Sequence, residues 1–164
     1  MRIVLFRHGI AIDRMDPTCP AEEHRHLTDR GREKTRAAAR GLSSLDLHPD
    51  RILSSPWLRA RQTAEIAASE LGFKEEYIEF TTALLPFATP SAILQDLTLT
   101  DKGEVLLTGH APHLDALLEE LAGTSSMGAD RLKKAGAAAI AISAGRGRLE
   151  WIISPRELRR LGDE

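Results

Sequence analysis

The sequence predicts an α/β protein: a three-layer sandwich with a mostly parallel central sheet and helices on both faces. Two observations carry this. Short apolar runs alternate with segments of helical spacing along the chain, the pattern of strands joined by covering helices. Three of those runs also end abruptly in polar residues, as buried parallel strands do when a functional loop follows them. With 164 residues, no internal repeat and no low-complexity tract or linker, the expectation is one domain over 1–164.

Ile3 to Phe6 is all apolar and reads as the first core strand, ending at Arg7-His8-Gly9. Residues 10–26 carry scattered charges with Pro17 and Pro20 and read as a long surface loop. Thr28 caps an Ala- and Arg-rich helix running to Leu45. Arg51 to Ser54 is a second strand, and Pro56 opens a helix from Trp57 to Leu71 that Gly72 stops. Ile78 to Leu85 reads as a weaker extended segment, and Ser91 is placed to cap a short helix to Leu97. Val105 to Thr108 is a third buried strand, ending at Gly109-His110. A helix from Leu114 to Leu121 closes at Gly123. Ala137 to Ser143 and Leu149 to Ile153 suit two antiparallel strands across a turn at Arg146-Gly147, before a C-terminal helix at Pro155.

Lys and Arg total 22 against 24 Asp and Glu, a net charge of −2, and aromatic content is 4%. This balance argues against a nucleic-acid or anionic-membrane partner, so any anion site must be local. A lone Cys19 excludes an internal disulfide and fits a reducing compartment. The N-terminal apolar run is too short for a signal peptide, and no stretch approaches the roughly 18 apolar residues of a spanning helix. The expected location is the cytoplasm.

Three predicted strand ends carry Arg7-His8-Gly9, Ser54-Ser55-Pro56 running on to Arg59, and Gly109-His110. If they meet at one sheet edge, two Arg and two His form a cationic pocket suited to a phosphoryl group. A neutral imidazole at His8 can attack phosphorus in line, given a partner such as a backbone carbonyl to fix its tautomer. Arg7 and Arg59 offer forked donors, His110 a further donor, and Gly9 a close backbone approach. His24, His26 and His48 lack the spacing of a metal centre, His113 reads as structural, and no metal or other cofactor is expected. Ser54 and Ser55 lack a G-x-S-x-G setting and read as strand termination and support for the helix start.

These segments resemble the histidine phosphatase superfamily. Arg7-His8-Gly9 is similar to its R-H-G motif, Leu27-Thr28-Asp29-Arg30-Gly31 to its L-T-x-x-G, the block from Ser54 to Ala64 to its S-S-P-x-x-R-A-x-Q-T-A, and Gly109-His110 to its second histidine motif. The resemblance implies a phosphoglycerate mutase-like sandwich with His8 as the phosphohistidine-forming nucleophile. It makes Arg7, Arg59 and His110 the phosphate pocket, and Arg25 a further phosphate contact, although the family usually has Pro where this chain has His26. The short chain and Gly109-His110-Ala111-Pro112 look like the SixA-type phosphohistidine phosphatases. The segment from Ala83 to Ala88 has no acid where the mutase-like branch carries its proton donor. Loss of that donor disfavours alkoxide leaving groups and suits the labile P–N bond of phosphohistidine.

The resemblance therefore implies hydrolysis of phosphohistidine on a protein, for example a histidine-containing phosphotransfer domain. Two alternatives stay open. One is a phosphatase of small phosphorylated metabolites drawing a proton from Asp13, Glu22, Glu23 or Asp101, with the 10–26 loop over the site. The other is a non-catalytic phosphoprotein-binding module.

Overall fold

The computed structural model describes residues 1–97, 103–123 and 132–163. Six strands form one sheet in the order β3-β2-β4-β1-β5-β6. These are β1 (Arg2–Arg7), β2 (Arg51–Ser54), β3 (Glu79–Phe80), β4 (Glu104–Gly109), β5 (Ala137–Ser143) and β6 (Arg146–Ile153). Strands β3, β2, β4 and β1 pair in parallel, and β5 is antiparallel to both β1 and β6. The sheet is thus mostly parallel, with its direction reversed only at β5.

Helices α1 (Asp29–Ser44), α2 (Leu58–Glu70) and α5 (Pro155–Gly162) cover one face, where Leu42, Ala64, Ala68 and Leu158 meet Val4, Phe6 and Leu106. Helices α3 (Ala92–Asp96) and α4 (His113–Ala122) cover the other, with Ile93, Leu114 and Leu118 against Ile3, Leu5 and Leu107. Alternate residues of β1 feed opposite cores, which is why its sequence is apolar without alternation. The three-layer sandwich predicted above is the fold observed.

Helix caps follow local chemistry. The Thr28 hydroxyl accepts from the Gly31 amide at 2.9 Å, and Ser154 forms a capping box with Glu157 ahead of Pro155. Gly123 ends α4 in the left-handed region. Ser91 stands at the cap position of α3, but its side chain makes no capping bond there.

Two further readings need correction. The extended segment from Ile78 to Leu85 pairs with the sheet only at Glu79–Phe80; Thr81 then caps a 3-10 turn over Thr82–Leu84. The β5–β6 turn lies at Ala144-Gly145, both at positive φ, and not at Arg146-Gly147. Gly147 belongs to β6, where a side chain would overlap the Leu121 carbonyl at the end of α4. That long-range contact gives no local trace, so Gly147 resembled a turn glycine.

Candidate active site

The carboxyl ends of β1, β2 and β4 are adjacent, so the residues that follow them share one edge. Arg7, His8, Trp57, Arg59 and His110 line a pocket of about 340 Å³ there, joined by Arg14, Glu22, Arg25, Pro86, Phe87 and Lys134. This is the convergence expected from the strand ends.

His8 is 6% exposed. Its amide donates to the Gly109 carbonyl at 3.0 Å, locking it between β1 and β4. Nδ1 lies 2.7 Å from the Gly9 carbonyl, which can only accept, so Nδ1 carries the hydrogen. That leaves a lone pair on Nε2, which accepts from Arg59 Nε at 3.3 Å. Burial, with the charges of Arg59, Arg7 and Lys134, outweighs the Gly9 hydrogen bond and pushes the His8 pKa down to about 3. The ring is neutral at physiological pH, with its unprotonated nitrogen turned to the Arg59 guanidinium.

Gly9 does not line the pocket. A side chain there would overlap Thr35 Oγ1 of α1, so glycine is what lets this loop lie against that helix. The Gly9 amide donates to Thr63 Oγ1, and Thr63 in turn donates to the Arg59 carbonyl. Gln62 accepts from the Leu27 amide. The Q-T pair of the α2 block thereby ties the loop after β1 and the segment at Leu27 to α2, and Ala60 and Ala64, fully buried, set α2 close to the sheet.

Arg59 is 3% exposed, and its guanidinium lies 5.0 Å from the Trp57 ring centre. Burial lowers its pKa to about 10, so it stays charged at neutral pH. Its terminal nitrogens donate to the Glu22 carbonyl at 2.8 Å and to Glu22 Oε1 at 3.0 Å. Arg25, 7% exposed, places Nε and Nη2 on the Ile12 carbonyl and Nη1 on Glu22 Oε1. It stands in the pocket wall, but these nitrogens are engaged within the 10–26 loop. Arg7 donates through Nη1 to the Leu132 carbonyl, and the Leu132 amide donates to Asp115, a relay that holds the Arg7 side chain. Arg7 Nε is buried without a partner in the chain.

His110 packs 5.2 Å from His8 and edge-on to Trp57 at 5.4 Å, ring centre to ring centre. Burial first, then the charges of His8, Arg59, His113 and Arg7, lowers its pKa to about 2, so it too is neutral. Nε2 lies 2.7 Å from Ser55 Oγ. Ser55 Oγ accepts from the Trp57 amide and so has its own proton free for Nε2. Nδ1 is buried with no partner in the chain; with the Ser55 hydroxyl donating to Nε2, the ring hydrogen would sit on Nδ1 and be available to an oxyanion. Ser55 thus supports the start of α2, as read, and also orients a site imidazole, which was not read.

Glu22, expected only as a candidate proton donor from the 10–26 loop, lies in the pocket wall as the partner of its arginines. Its carboxylate accepts from Arg14, Arg25 and Arg59 together. The Arg14 hydrogen bonds lead in lowering its pKa to about 2. The only trace in the sequence was the three-residue spacing from Glu22 to Arg25. Lys134 reaches the pocket because the Arg7 amide donates to the Gly136 carbonyl and the Ala135 amide donates to the Arg7 carbonyl. The 10–26 loop is pinned at its base by Ile12 N to His26 O and Thr28 N to Ile10 O. Asp13 and Glu23 are exposed and outside the pocket wall, and Asp101 lies outside the described residues. Among the described residues no group of three or more His, Cys, Asp or Glu is gathered to hold a metal ion.

Residues 3–83 match the model of the histidine phosphatase superfamily (branch 1). An uncharacterised protein of Picosynechococcus is 38% identical over 137 residues, covering 83% of this chain and 82% of that one. The chain belongs to the histidine phosphatase superfamily. It is a phosphatase of that superfamily, and it resembles the SixA branch over nearly its whole length. The phosphohistidine phosphatase SixA of Escherichia coli (strain K12) is 29% identical, with 97% of each chain covered. The structure of the protein histidine phosphatase SixA complexed with tungstate superposes with a TM-score of 0.82 at 29% identity, covering 96% of this chain and 99% of that one. No helix among the described residues is long and apolar enough to cross a membrane.

Proposed function

We propose that this phosphatase hydrolyses phosphohistidine carried on a protein, with His8 as its nucleophile. The observation that carries the reading is the neutral His8 ring, whose Nε2 lone pair is presented to an arginine-lined pocket while Nδ1–H is held by the Gly9 carbonyl. Nε2 attacks phosphorus, and the P–N bond to a substrate imidazole protonated on its other ring nitrogen breaks, the electron pair leaving with the phosphorylated nitrogen so that the substrate departs as neutral imidazole. Arg7, Arg59 and the Nδ1–H of His110 hold the equatorial oxygens, with Arg25 behind them. Water then attacks phosphorylated His8, releasing inorganic phosphate and restoring the neutral ring. The Gly9 carbonyl stabilises the positive charge that the phosphorylated imidazole carries.

The choice of substrate rests on the missing acid. Pro86 and Phe87 line the pocket where the mutase-like branch would carry its donor. The acid that does line it, Glu22, is held ionised by three arginines and has no proton to give at neutral pH. Transfer between imidazole nitrogens needs no acid from the enzyme, because a substrate ring protonated from solvent on its other nitrogen leaves as neutral imidazole, the same species that attacks.

Incubation with a phosphohistidine peptide is expected to leave an acid-labile, base-stable phosphate on His8. His8→Ala should carry none and lose roughly a thousandfold or more in kcat. Turnover of phosphohistidine should exceed that of alkyl phosphates in kcat/KM. Absence of the label, or faster hydrolysis of alkyl phosphates, overturns the reading.

A further inference from the structure

Arg7 and Lys134 border two spaces. One is the phosphate pocket. The other is an adjoining groove of about 520 Å³ whose wall also carries Lys34 from α1, Lys133, and Arg159 from α5. Five cations from separate stretches of chain meet there, and no carboxylate lines the groove. Among the described residues none of the five makes an ion pair. The nearby acids are engaged elsewhere: Glu157 accepts from the amide and hydroxyl of Ser154, and Asp115 from the Leu132 amide. In a chain of net charge −2 this is a local concentration of positive field, and such a field attracts and orients an anionic partner.

Two further observations point to a ligand. Arg7 Nε, of a residue shared by the groove and the pocket, is buried without a partner in the chain, an uncommon state for a buried polar atom. On the pocket rim, Phe87 is 86% exposed, and Met15, beside the pocket residue Arg14, is 88% exposed. Large exposed apolar side chains beside a charged cleft suit a protein surface better than a free metabolite.

We propose that this groove docks an acidic segment of the phosphorylated protein whose phosphohistidine enters the neighbouring pocket. The proposal rests on the phosphohistidine-protein reading above. A polypeptide is favoured over a small polyanion because the cations are spread along an open groove, and Lys133 and Lys134 are exposed. Charges spread in that way match carboxylates strung along a chain, whereas a single compact phosphate engages only the few cations within its reach.

The test uses the full chain and the triple variant Lys34→Glu, Lys133→Glu, Arg159→Glu, none of which lines the phosphate pocket. The probes are a phosphohistidine peptide flanked by Asp and Glu, the same peptide flanked by Asn and Gln, para-nitrophenyl phosphate, and a bisphosphorylated sugar. The unmodified protein should favour the acidic peptide by roughly tenfold in kcat/KM, mostly through KM and fading with added salt. The variant should lose that preference while hydrolysing para-nitrophenyl phosphate within about twofold of the unmodified rate, which also checks its folding. Equal hydrolysis of both peptides by the unmodified protein overturns the docking groove and leaves the phosphohistidine reading intact. Turnover of para-nitrophenyl phosphate but of neither peptide removes that reading, and the groove with it. An equal loss on all substrates in the variant, or dependence on the three cations with the bisphosphorylated sugar alone, also overturns the proposal.

Discussion

Glu22 sits where an incoming phosphate would compete with it. Its carboxylate engages Arg59 and Arg25 inside the pocket and Arg14 at the rim, so a bound oxyanion must share or take over those guanidinium groups. Replacing Glu22 with Gln keeps an acceptor at Oε1 for Arg59 and removes the competing charge. Inorganic phosphate should then inhibit about three- to tenfold more tightly, as removal of one partly exposed charge near the binding arginines allows. Product-inhibition kinetics measure this, and unchanged or weaker inhibition would show that Glu22 acts only to position the arginines. His8 and His110 illustrate a related point. Their types and strand-end positions were legible in the sequence, but their neutrality and tautomers come from the Gly9 carbonyl, the Ser55 hydroxyl and burial, which no local pattern encodes.

At the scale of elements, boundaries set by local chemistry were readable and those set by packing were not. Thr28, Gly123 and Pro155 marked helix ends through capping, left-handed backbone or fixed φ, and the helices begin or end there, whereas α2 starts at Leu58, two residues past Pro56. The β5–β6 hairpin was misplaced because its turn uses Ala144 at φ 50°, next to Gly145 at φ 72°. Alanine carries no turn preference and is strained in that region by about 1 kcal/mol. Ala144→Asn, which tolerates the left-handed conformation, should therefore stabilise the protein by about 0.5–1 kcal/mol. Chemical denaturation should show a higher midpoint with an unchanged slope.

For the whole molecule, burying two neutral histidines beside cations makes stability depend on pH. In the unfolded chain each titrates near 6.5, while in the fold His8 is held to about 3 and His110 to about 2. Below pH 6.5 the unfolded chain binds protons that the folded one refuses, so stability falls as pH drops from about 6.5 toward about 3. Glu22 acts in the same direction. Its folded pKa is depressed to about 2, so its contribution is present above the ordinary carboxylate value and is lost as pH falls toward about 2. The urea midpoint should decline steadily between pH 7 and pH 4, and His110→Asn should make that decline shallower; an equal slope in the variant would refute the assignment. By itself the sequence determined the α/β sandwich and brought Arg7, His8, Arg59 and His110 to one edge, because apolar periodicity, caps and strand-end polarity are local properties of the chain. Only the tertiary structure decided that Glu22 sits among three arginines, that Ser55 orients His110, and that Lys34, Lys133 and Arg159 form one groove with Arg7. Ser55 meets His110 because β2 pairs with β4, Arg59 meets Glu22 because α2 packs on the 10–26 loop, and the groove cations meet because β5 inserts beside β1 and α5 packs on α1; such contacts depend on burial in three dimensions and leave no periodicity behind.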